Sequence, residues 1–395
     1  MKVVFVNPPT DSEYPKPPLG LLQVATACQE AGHDVRILDA DLLKLSPMDI
    51  VDVVADADIV GLTALTPTYP MASRIACLLK AETGVRTMIG GVHASIFPET
   101  LRDTGLWDIV VVGEGEAVVA ADAMSLNGIF TWPSLSYTDI PTPDYSLLDV
   151  SAYLPRYPHG ARTPWTAVHT SRGCPFQCTF CSKAVFGSKY RAMPADRLCG
   201  LLRTLVEVHG IRDITFYDDE FTLDNRRLSM LCLGLEIDQY DLTWTCEARV
   251  DMVNYQQFEM MKAAGCRLIY FGLESGNQDI LNTLRKNTTL EQARSAVALC
   301  HEAGIQAAAY FMLGAPGETM QSIQDTLDFA EELALDHAQF SICTPLPGSQ
   351  LYAEYGNKSS GRYLGCGAKP VMVSGAVAER VVEAVEEGNQ RWARV

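Results

Sequence analysis

The feature that most constrains this chain is a loop of three closely spaced cysteines. Cys174, Cys178 and Cys181 form the pattern C-x3-C-x2-C directly after the apolar, strand-like run 165–169. Thiolates bind iron–sulfur clusters, and four of them normally saturate a [4Fe–4S] cube. Three thiolates on one loop hold three irons and leave the fourth iron open to a small-molecule ligand. No fourth cysteine lies close by in the sequence, so the pattern predicts a cluster with one open iron.

Two other uses of these cysteines stay open at this point. A structural zinc site needs four Cys or His ligands, so His169 or a distant cysteine would have to complete it. A disulfide framework is not expected in a long chain whose first residues predict a core strand rather than a secretory leader. The spacing, the preceding strand and the pattern downstream favour the cluster.

Composition narrows the class of protein. With 395 residues and 48% hydrophobic content, the chain is long enough for two domains with real cores. It has no apolar run of eighteen residues, which predicts no membrane span. The formal charge of −17 argues against nucleic-acid and membrane partners, and it suits plain solubility or a cationic, amino-sugar-like substrate. Twelve scattered cysteines indicate a reducing, cytoplasmic location.

Strand-like and helix-like runs alternate over residues 1–128. This alternation predicts an α/β domain with a Rossmann-like, flavodoxin-type, doubly wound parallel sheet, whose last strand is 109–113 and whose last helix runs from Glu116 to about Leu126. Such sheets bind ligands beyond the carboxyl ends of their strands. The loops at those ends carry Thr63-Ala64-Leu65, Gly90-Gly91-Val92-His93 and Gly113-Glu114.

The second half of the chain predicts a different parallel sheet. Residues 129–165 are rich in proline and predict an extended linker. Residues 166–356 predict a partial (β/α)6 TIM barrel, with its site at the carboxyl ends of the strands. The six strands are predicted at 165–169, 213–219, 243–249, 267–275, 306–314 and 337–345. A short tail, residues 357–395, follows with an acidic helix from Ala376 to Trp392.

Polar or glycine-rich motifs stand at four of these strand ends. They are Asp218-Asp219-Glu220, Glu247-Ala248-Arg249, Glu274-Ser275 and Gly314-Ala315-Pro316. Each motif has a structural alternative: a helix N-cap for one of the acids, a salt bridge for Glu247 and Arg249, and a tight turn for the glycine.

The cysteine loop, with the aromatic Phe180 before its last cysteine, resembles the signature of the radical SAM superfamily. In that family, S-adenosylmethionine (SAM) chelates the open iron, and one electron from the cluster cleaves SAM to a 5′-deoxyadenosyl radical. The resemblance implies that the acids hold the SAM ammonium, that an arginine fork holds its carboxylate, and that the later motifs contact ribose and adenine. The implied SAM contacts are Phe180, Asp218, Asp219, Glu247, Arg249, Glu274, Ser275, Gly314 and Pro316, with Asp219, Glu247 and Arg249 as catalytic residues.

Residues 1–128 resemble the cobalamin (B12)-binding domain that precedes the barrel in one branch of this superfamily. The resemblance rests on Thr63 and Leu65 followed by Gly90 and Gly91, and it implies His93 and Glu114 as further pocket residues. The loop from Pro8 to Tyr14 carries no histidine, so cobalt would have no histidine from below. A Rossmann-like domain without the cofactor stays open as an alternative.

The resemblance implies an enzyme that cleaves SAM reductively and abstracts hydrogen from a small-molecule natural product. Its electron would come from a flavodoxin or ferredoxin. Cobalamin-dependent methyl transfer is the leading outcome, and the Thr63 and Gly90 loops favour it. The short tail and the acidic charge favour the alternative, radical dehydration of a diol or rearrangement of an aminoglycoside precursor. A non-enzymatic iron–sulfur or corrinoid carrier is the alternative of another class.

Overall fold

The chain folds into two compact units in the computed structural model. Unit 1 comprises residues 1–168 with 184–213, and unit 2 comprises residues 169–183 with 214–395. The structure describes residues 1–12, 14–154, 162–356 and 369–392. Part of the predicted linker, 155–161, and the tail segment 357–368 with Cys366 lie outside the described residues.

Strands and helices alternate along the described chain. The strands are β1 Lys2–Asn7, β2 Asp34–Asp39, β3 Ile59–Thr63, β4 Arg86–Gly90, β5 Ile109–Val112, β6 Gly128–Thr131, β7 Trp165–Val168, β8 Ser171–Arg172, β9 Arg191–Ala192, β10 Asp213–Phe216, β11 Thr243–Ala248, β12 Cys266–Glu274, β13 Gln306–Leu313 and β14 His337–Ile342. The α-helices are α1 Leu19–Glu30, α2 Pro47–Val54, α3 Tyr69–Glu82, α4 Val92–Ile96, α5 Pro98–Asp103, α6 Glu116–Val119, α7 Ala195–Glu207, α8 Asn225–Asp238, α9 Tyr255–Ala263, α10 Gln278–Thr283, α11 Leu290–Glu302, α12 Met320–Glu332, α13 Gln350–Tyr355 and α14 Ala376–Trp392.

The sheet of unit 1 confirms the predicted doubly wound architecture. Its six strands are all parallel and lie in the order β2-β1-β3-β4-β5-β6. Alternate residues of β1 enter two different cores, Val3 and Phe5 on one face and Val4 and Val6 on the other. A strand covered on both faces reads as a continuous apolar run, which is why its position was predictable.

Two predictions for the end of the segment 1–128 were wrong. Gly128–Thr131 adds β6 beside β5, so 109–113 is not the last strand. The helix predicted from Glu116 to about Leu126 ends at Val119, and a short 3-10 helix, Asp122–Ser125, follows it. A four-residue strand has too few positions to show a period, and its place is set by packing against β5.

The described part of the proline-rich segment packs against unit 1 instead of running free. Tyr137, Tyr145 and Tyr153 are buried along it. The Tyr153 hydroxyl donates to Asp39 Oδ2 over 2.6 Å, and the Asp144 backbone N–H donates to Thr26 Oγ1 over 2.9 Å. The segment therefore belongs to the structure of unit 1, although its prolines made it resemble a solvated linker.

The second sheet confirms the predicted half-barrel. It has six strands in the order β14-β13-β12-β11-β10-β7, and the pairs from β11 to β14 are parallel. Side chains cap the N-termini of its helices, as Asp224 does for α8 and Thr319 for α12.

The predicted acidic helix of the tail is confirmed as α14, and it packs against the edge strand β14. The Asn389 side chain accepts from the Phe340 N–H over 2.8 Å and donates to the Phe340 carbonyl over 2.9 Å. One side-chain amide thus takes the hydrogen bonds that a further strand would make at this edge. Within the described ranges, no helix has the length and apolarity needed to cross a membrane.

Candidate active site

The three cysteines lie together on one loop of unit 2. Burial raises the pKa of the Cys181 thiol to about 11, and the nearby Cys174, Asp219 and Cys178 add to the shift. Burial likewise raises the pKa of Cys174. The sulfurs of Cys174 and Cys178 therefore lie within electrostatic range of the Cys181 sulfur. The described residues hold no three ligand side chains gathered around one metal ion, and a cube does not require this, because each thiolate binds a different iron.

Asp218 secures the polypeptide just before the cysteine loop. Its carboxylate is buried and accepts hydrogen bonds from the Thr170 N–H, the Thr170 hydroxyl and the Ser171 N–H. Arg227 Nη2 lies 3.9 Å from the same carboxylate. Asp218 therefore has a structural task, apart from the SAM contact that the resemblance implies.

The next two acids differ in solvent exposure, although burial raises the pKa of both carboxyls. Asp219 is exposed, and one of its oxygens accepts from the Gly173 N–H over 3.1 Å at the start of the loop. Glu220 is buried and accepts from the Thr222 hydroxyl over 2.7 Å, and its burial raises the pKa of its carboxyl. Of the three acids, Asp219 is the exposed one, and its contact with the SAM ammonium stays a prediction.

The Arg249 fork faces protein groups. Nε donates to Asp251 Oδ1 and Nη2 donates to Asp251 Oδ2, each over 2.9 Å. Nη2 also donates to the Lys286 carbonyl over 3.0 Å. Nη1 lies 3.9 Å from Cys178 Sγ. Glu247, two residues earlier, accepts from the Tyr310 hydroxyl over 3.3 Å. The bidentate partner of Arg249 is therefore Asp251.

Glu274 forms a buried ion pair that the sequence did not predict. Lys286 Nζ lies 2.9 Å from Glu274 Oε1, and both side chains are less than a tenth exposed. Burial alone would lower the pKa of Lys286, but the attraction to Glu274 outweighs it and raises the pKa. Lys286 also lies 5.9 Å from the centre of the Phe180 ring. A basic residue within the run Leu284-Arg285-Lys286, soon after the fourth strand, was the available signal.

The remaining two motifs meet helix α12 and the tail. Ser275 Oγ lies 3.1 Å from Thr326 Oγ1, so its hydroxyl is directed at α12. Gly314 has a φ of +95°, and its N–H donates to Glu318 Oε2 over 2.9 Å. A Cβ on Gly314 would lie 3.3 Å from Val381 of α14, and Pro316 lies half-buried in the same turn. Glu318 is therefore a further residue that sequence reasoning did not single out.

In unit 1, the structure brings the two predicted cobalamin loops together. Thr63 ends β3 and Gly90 ends the neighbouring strand β4. Gly91 has a φ of +92°, and a Cβ on it would lie only 2.9 Å from Thr63 Oγ1. The side chain of Leu65 is 50% exposed beyond this strand end. Small residues around an exposed apolar side chain, at the carboxyl edge of a parallel sheet, fit the planar face and nucleotide tail of a corrin.

His93 lies in the same region but is enclosed by aromatic rings. It stacks on Tyr69 at 4.1 Å, and its Nδ1 lies 3.2 Å from Thr66 Oγ1. Burial lowers its pKa to about 4. The neutral ring is thus part of the packing of unit 1, and a role toward a corrin stays a prediction.

The pKa of His93 predicts a loss of stability in mild acid. The unfolded chain binds a proton near pH 6.5 and the folded chain only near pH 4, so this contribution is lost as the pH falls between those values. We expect about 2 kcal/mol less unfolding free energy at pH 5 than at pH 7 from this residue. Denaturant unfolding at both pH values measures it. His93→Phe keeps an aromatic ring without the proton, and an unchanged pH dependence in that variant would contradict the assignment.

Glu114 is committed to a buried ion pair inside unit 1. Arg191 Nη2 donates to its Oε1 over 2.6 Å and Nη1 to its Oε2 over 3.1 Å, and the two side chains are 3% and 10% exposed. Arg191 also donates to the Leu135 carbonyl over 2.7 Å. The pair ties the returning segment 184–213 to the loop after β5.

Breaking this pair is expected to destabilise unit 1. Arg191→Met leaves the Glu114 carboxylate buried without its main partner, and we expect a loss of about 3 kcal/mol in unfolding free energy. Thermal or denaturant unfolding of the purified variant measures it. The double variant Glu114→Gln with Arg191→Met should lose less than the single variant, and a larger loss in the double variant would contradict the pairing.

Comparison with known proteins agrees with this arrangement. The family descriptions that match are Radical SAM superfamily over residues 168–330 and B12 binding domain over residues 10–122. An uncharacterized methyltransferase of Pyrococcus horikoshii is 35% identical over 387 residues, covering 89% of this chain and 82% of the relative. An anaerobic magnesium-protoporphyrin IX monomethyl ester cyclase of Rubrivivax gelatinosus is 28% identical over 394 residues, covering 91% and 70%.

A solved structure extends the likeness to the fold. It is the radical SAM methyltransferase TsrM from Kitasatospora setae with cobalamin and a [4Fe–4S] cluster bound. Its TM-score with this chain is 0.74 at 18% identity, covering 93% of this chain and 76% of TsrM. The 35% identical relative and the two matching domains show that this chain belongs to the radical SAM superfamily, as a member with a B12-binding domain.

Proposed function

We propose that this protein is a cobalamin-dependent methyltransferase of a small-molecule natural product. The observation that carries the proposal is the Pyrococcus horikoshii relative, named a methyltransferase, whose similarity spans both domains. The loops with Thr63, Gly90 and Gly91 in unit 1 favour the binding of a corrin. The cysteine loop of unit 2 favours the binding of a cluster. The Rubrivivax gelatinosus relative is named a cyclase, so proteins similar to this chain do not all have a methyltransferase name.

The bound groups supply chemistry that side chains lack. A [4Fe–4S] cluster held by Cys174, Cys178 and Cys181 would supply the electron for reductive cleavage of SAM, and cobalamin would supply a methyl carrier. The exposed carboxylate of Asp219 is available to the SAM ammonium beside the loop. An apolar cluster that includes Ala315 and Cys343, with Phe180 and Met312 packed on it, keeps water from this edge of the sheet.

In the half-barrel, Tyr310 and Glu247 are half-buried beside the buried Tyr270, and we propose that the substrate approaches these two half-buried side chains. Tyr270 and Tyr310 stack with ring centres 5.1 Å apart, and Glu247 accepts from the Tyr310 hydroxyl. An aromatic pair with a carboxylate beside it suits a substrate that has an apolar face and a cationic group. A cationic, amino-sugar-like substrate is one of the two explanations that suit the acidic composition, and plain solubility is the other. A flavodoxin or ferredoxin in the cytoplasm would be the electron donor.

The test starts with anaerobic reconstitution by iron, sulfide and hydroxocobalamin, followed by desalting. The proposal expects about one corrin per chain, and both 5′-deoxyadenosine and S-adenosylhomocysteine from SAM with a reductant and candidate amino sugars. A cluster without corrin, or 5′-deoxyadenosine without S-adenosylhomocysteine, would overturn methyl transfer in favour of dehydration or rearrangement. A protein that holds its cofactors and leaves SAM intact would be a carrier.

A further inference from the structure

Arg249 packs against the cysteine loop of unit 2. Its side chain follows β11 and is 5% exposed. The guanidinium carbon lies 3.7 Å from the centre of the Phe176 ring, and Nη1 lies 3.9 Å from Cys178 Sγ. Phe176 and Cys178 both belong to the C-x3-C-x2-C segment. One buried arginine therefore touches the loop at two points, one apolar and one at a sulfur.

The rest of the guanidinium is held in a fixed orientation. Asp251 takes Nε and Nη2 in a bidentate pair, and the Lys286 carbonyl takes Nη2 as well. These contacts leave Nη1 directed at Cys178. Burial alone would lower the pKa of Arg249, but Asp251 outweighs this effect and raises it. The side chain is thus a permanent cation, and its Nη1 is directed at the Cys178 sulfur.

The neighbouring lysines are placed differently. Lys286 pairs with Glu274 at 2.9 Å, and both Glu274 and Cys178 contribute to its raised pKa. Lys183 donates to the carbonyl oxygens of Cys174 and Phe176, and its charge also acts on the thiols of Cys174 and Cys181. Arg249 differs from both lysines because its Nη1 is directed at a cysteine sulfur, Cys178 Sγ, over 3.9 Å.

A buried cation beside a cluster ligand changes the energy of reduction. An iron–sulfur cluster gains one negative charge when it takes up an electron, and hydrogen bonds to its sulfurs and nearby charges set its potential. In a poorly solvated site a fixed positive charge favours the reduced form.

We propose that Arg249 is a positioning residue that acts through Cys178, holding the cysteine loop and raising the reduction potential of the bound cluster. This role differs from the fork for the SAM carboxylate that the family resemblance implies. The inference rests on the assignment of the cluster to Cys174, Cys178 and Cys181, and therefore on that part of the proposed function.

The test is an EPR-monitored dithionite titration of the reconstituted protein without SAM. Arg249→Met removes the cation and should lower the midpoint potential, whereas Arg249→Lys should fall between that variant and the wild type. Asp251→Asn removes the negative end of the pair and should raise the midpoint potential. Shifts of opposite sign would not arise from general damage to the loop.

A matched control is available on α11. Arg294 also combines a ring and a carboxylate, since it lies 5.1 Å from the centre of the Phe329 ring and pairs with Glu332, but its side chain is 40% exposed. Arg294→Met should leave the midpoint potential unchanged.

Several outcomes would overturn the role of Arg249. One is a wild-type midpoint in Arg249→Met at equal iron content, with weaker SAM binding instead. Another is a shift of the same sign in Arg249→Met and Asp251→Asn. If Arg249→Met takes up no iron, Asp251→Asn decides, and a wild-type midpoint there refutes the inference. A wild-type protein without any cluster signal would instead refute the cluster assignment.

Discussion

Replacing Cys178 with alanine is expected to abolish both cluster binding and SAM cleavage. Loss of a group that merely supports a metal ligand typically costs about 10–100-fold, so loss of the ligand itself should lower 5′-deoxyadenosine formation by at least about 100-fold. Reconstituted wild-type protein should hold about four irons per chain, and the variant should hold far fewer. Iron analysis and quantification of 5′-deoxyadenosine measure the two effects separately.

Other cysteines of the chain are poor substitutes for the lost ligand. Cys343 is buried, and burial raises the pKa of its thiol to about 12, so it remains a neutral thiol at ordinary pH. Cys77 is exposed on α3 in the other unit, which makes Cys77→Ala a suitable control with wild-type iron and activity. Full iron content and activity in Cys178→Ala would remove this residue from the cluster site.

The fold was largely predictable because buried parallel strands leave a strong trace in sequence. Each half-barrel strand was predicted to within a few residues, as with Gln306–Leu313, because continuous apolar runs end in polar or glycine residues. Short elements left no such trace. The strand Gly128–Thr131 and the helices α4 and α5 span only a few residues each, so their conformation depends on packing against the sheet.

The site was predictable in its location but not in its detailed contacts. Spacing alone located the cysteines, and strand ends located the polar motifs. Asp218 and Asp219 are chemically identical neighbours. The Asp218 side chain is nevertheless buried and accepts hydrogen bonds from Thr170 and Ser171, whereas Asp219 is exposed. The Asp251 partner of Arg249 is similarly a matter of side-chain direction. Contacts of this kind depend on which groups the fold brings near, and a single sequence does not contain that information.

Replacing Gly91 with valine is expected to remove corrin binding while the cluster stays. Gly91 has a φ of +92° and a ψ of −166°, a conformation that essentially only glycine adopts and that costs a side chain about 1–3 kcal/mol. A Cβ there would also lie 2.9 Å from Thr63 Oγ1 and 3.1 Å from the Ala64 carbonyl oxygen. The backbone strain and the close contacts are relieved only if the loops after β3 and β4 move apart. This movement disrupts the surface that the corrin would occupy.

The expected result is at least about a 10-fold loss of cobalamin affinity, measured from the corrin retained after desalting and by titration with hydroxocobalamin. Iron content should stay at the wild-type value, because the cysteine loop belongs to unit 2. Gly84→Ala is the matched control: Gly84 also has a positive φ, +66°, but nothing lies within 4 Å of the position of its Cβ.

The two glycine variants together separate the steric clash with Thr63 from the backbone strain of a side chain at positive φ. If Gly84→Ala loses corrin as severely as Gly91→Val, then general destabilisation of unit 1 explains both results. If Gly91→Val retains about one corrin per chain, the loops after β3 and β4 are not the binding surface, and the B12-binding domain would hold its ligand elsewhere or serve as a scaffold. Loss in Gly91→Val alone would link the close approach of Gly91 to Thr63 directly to the cofactor.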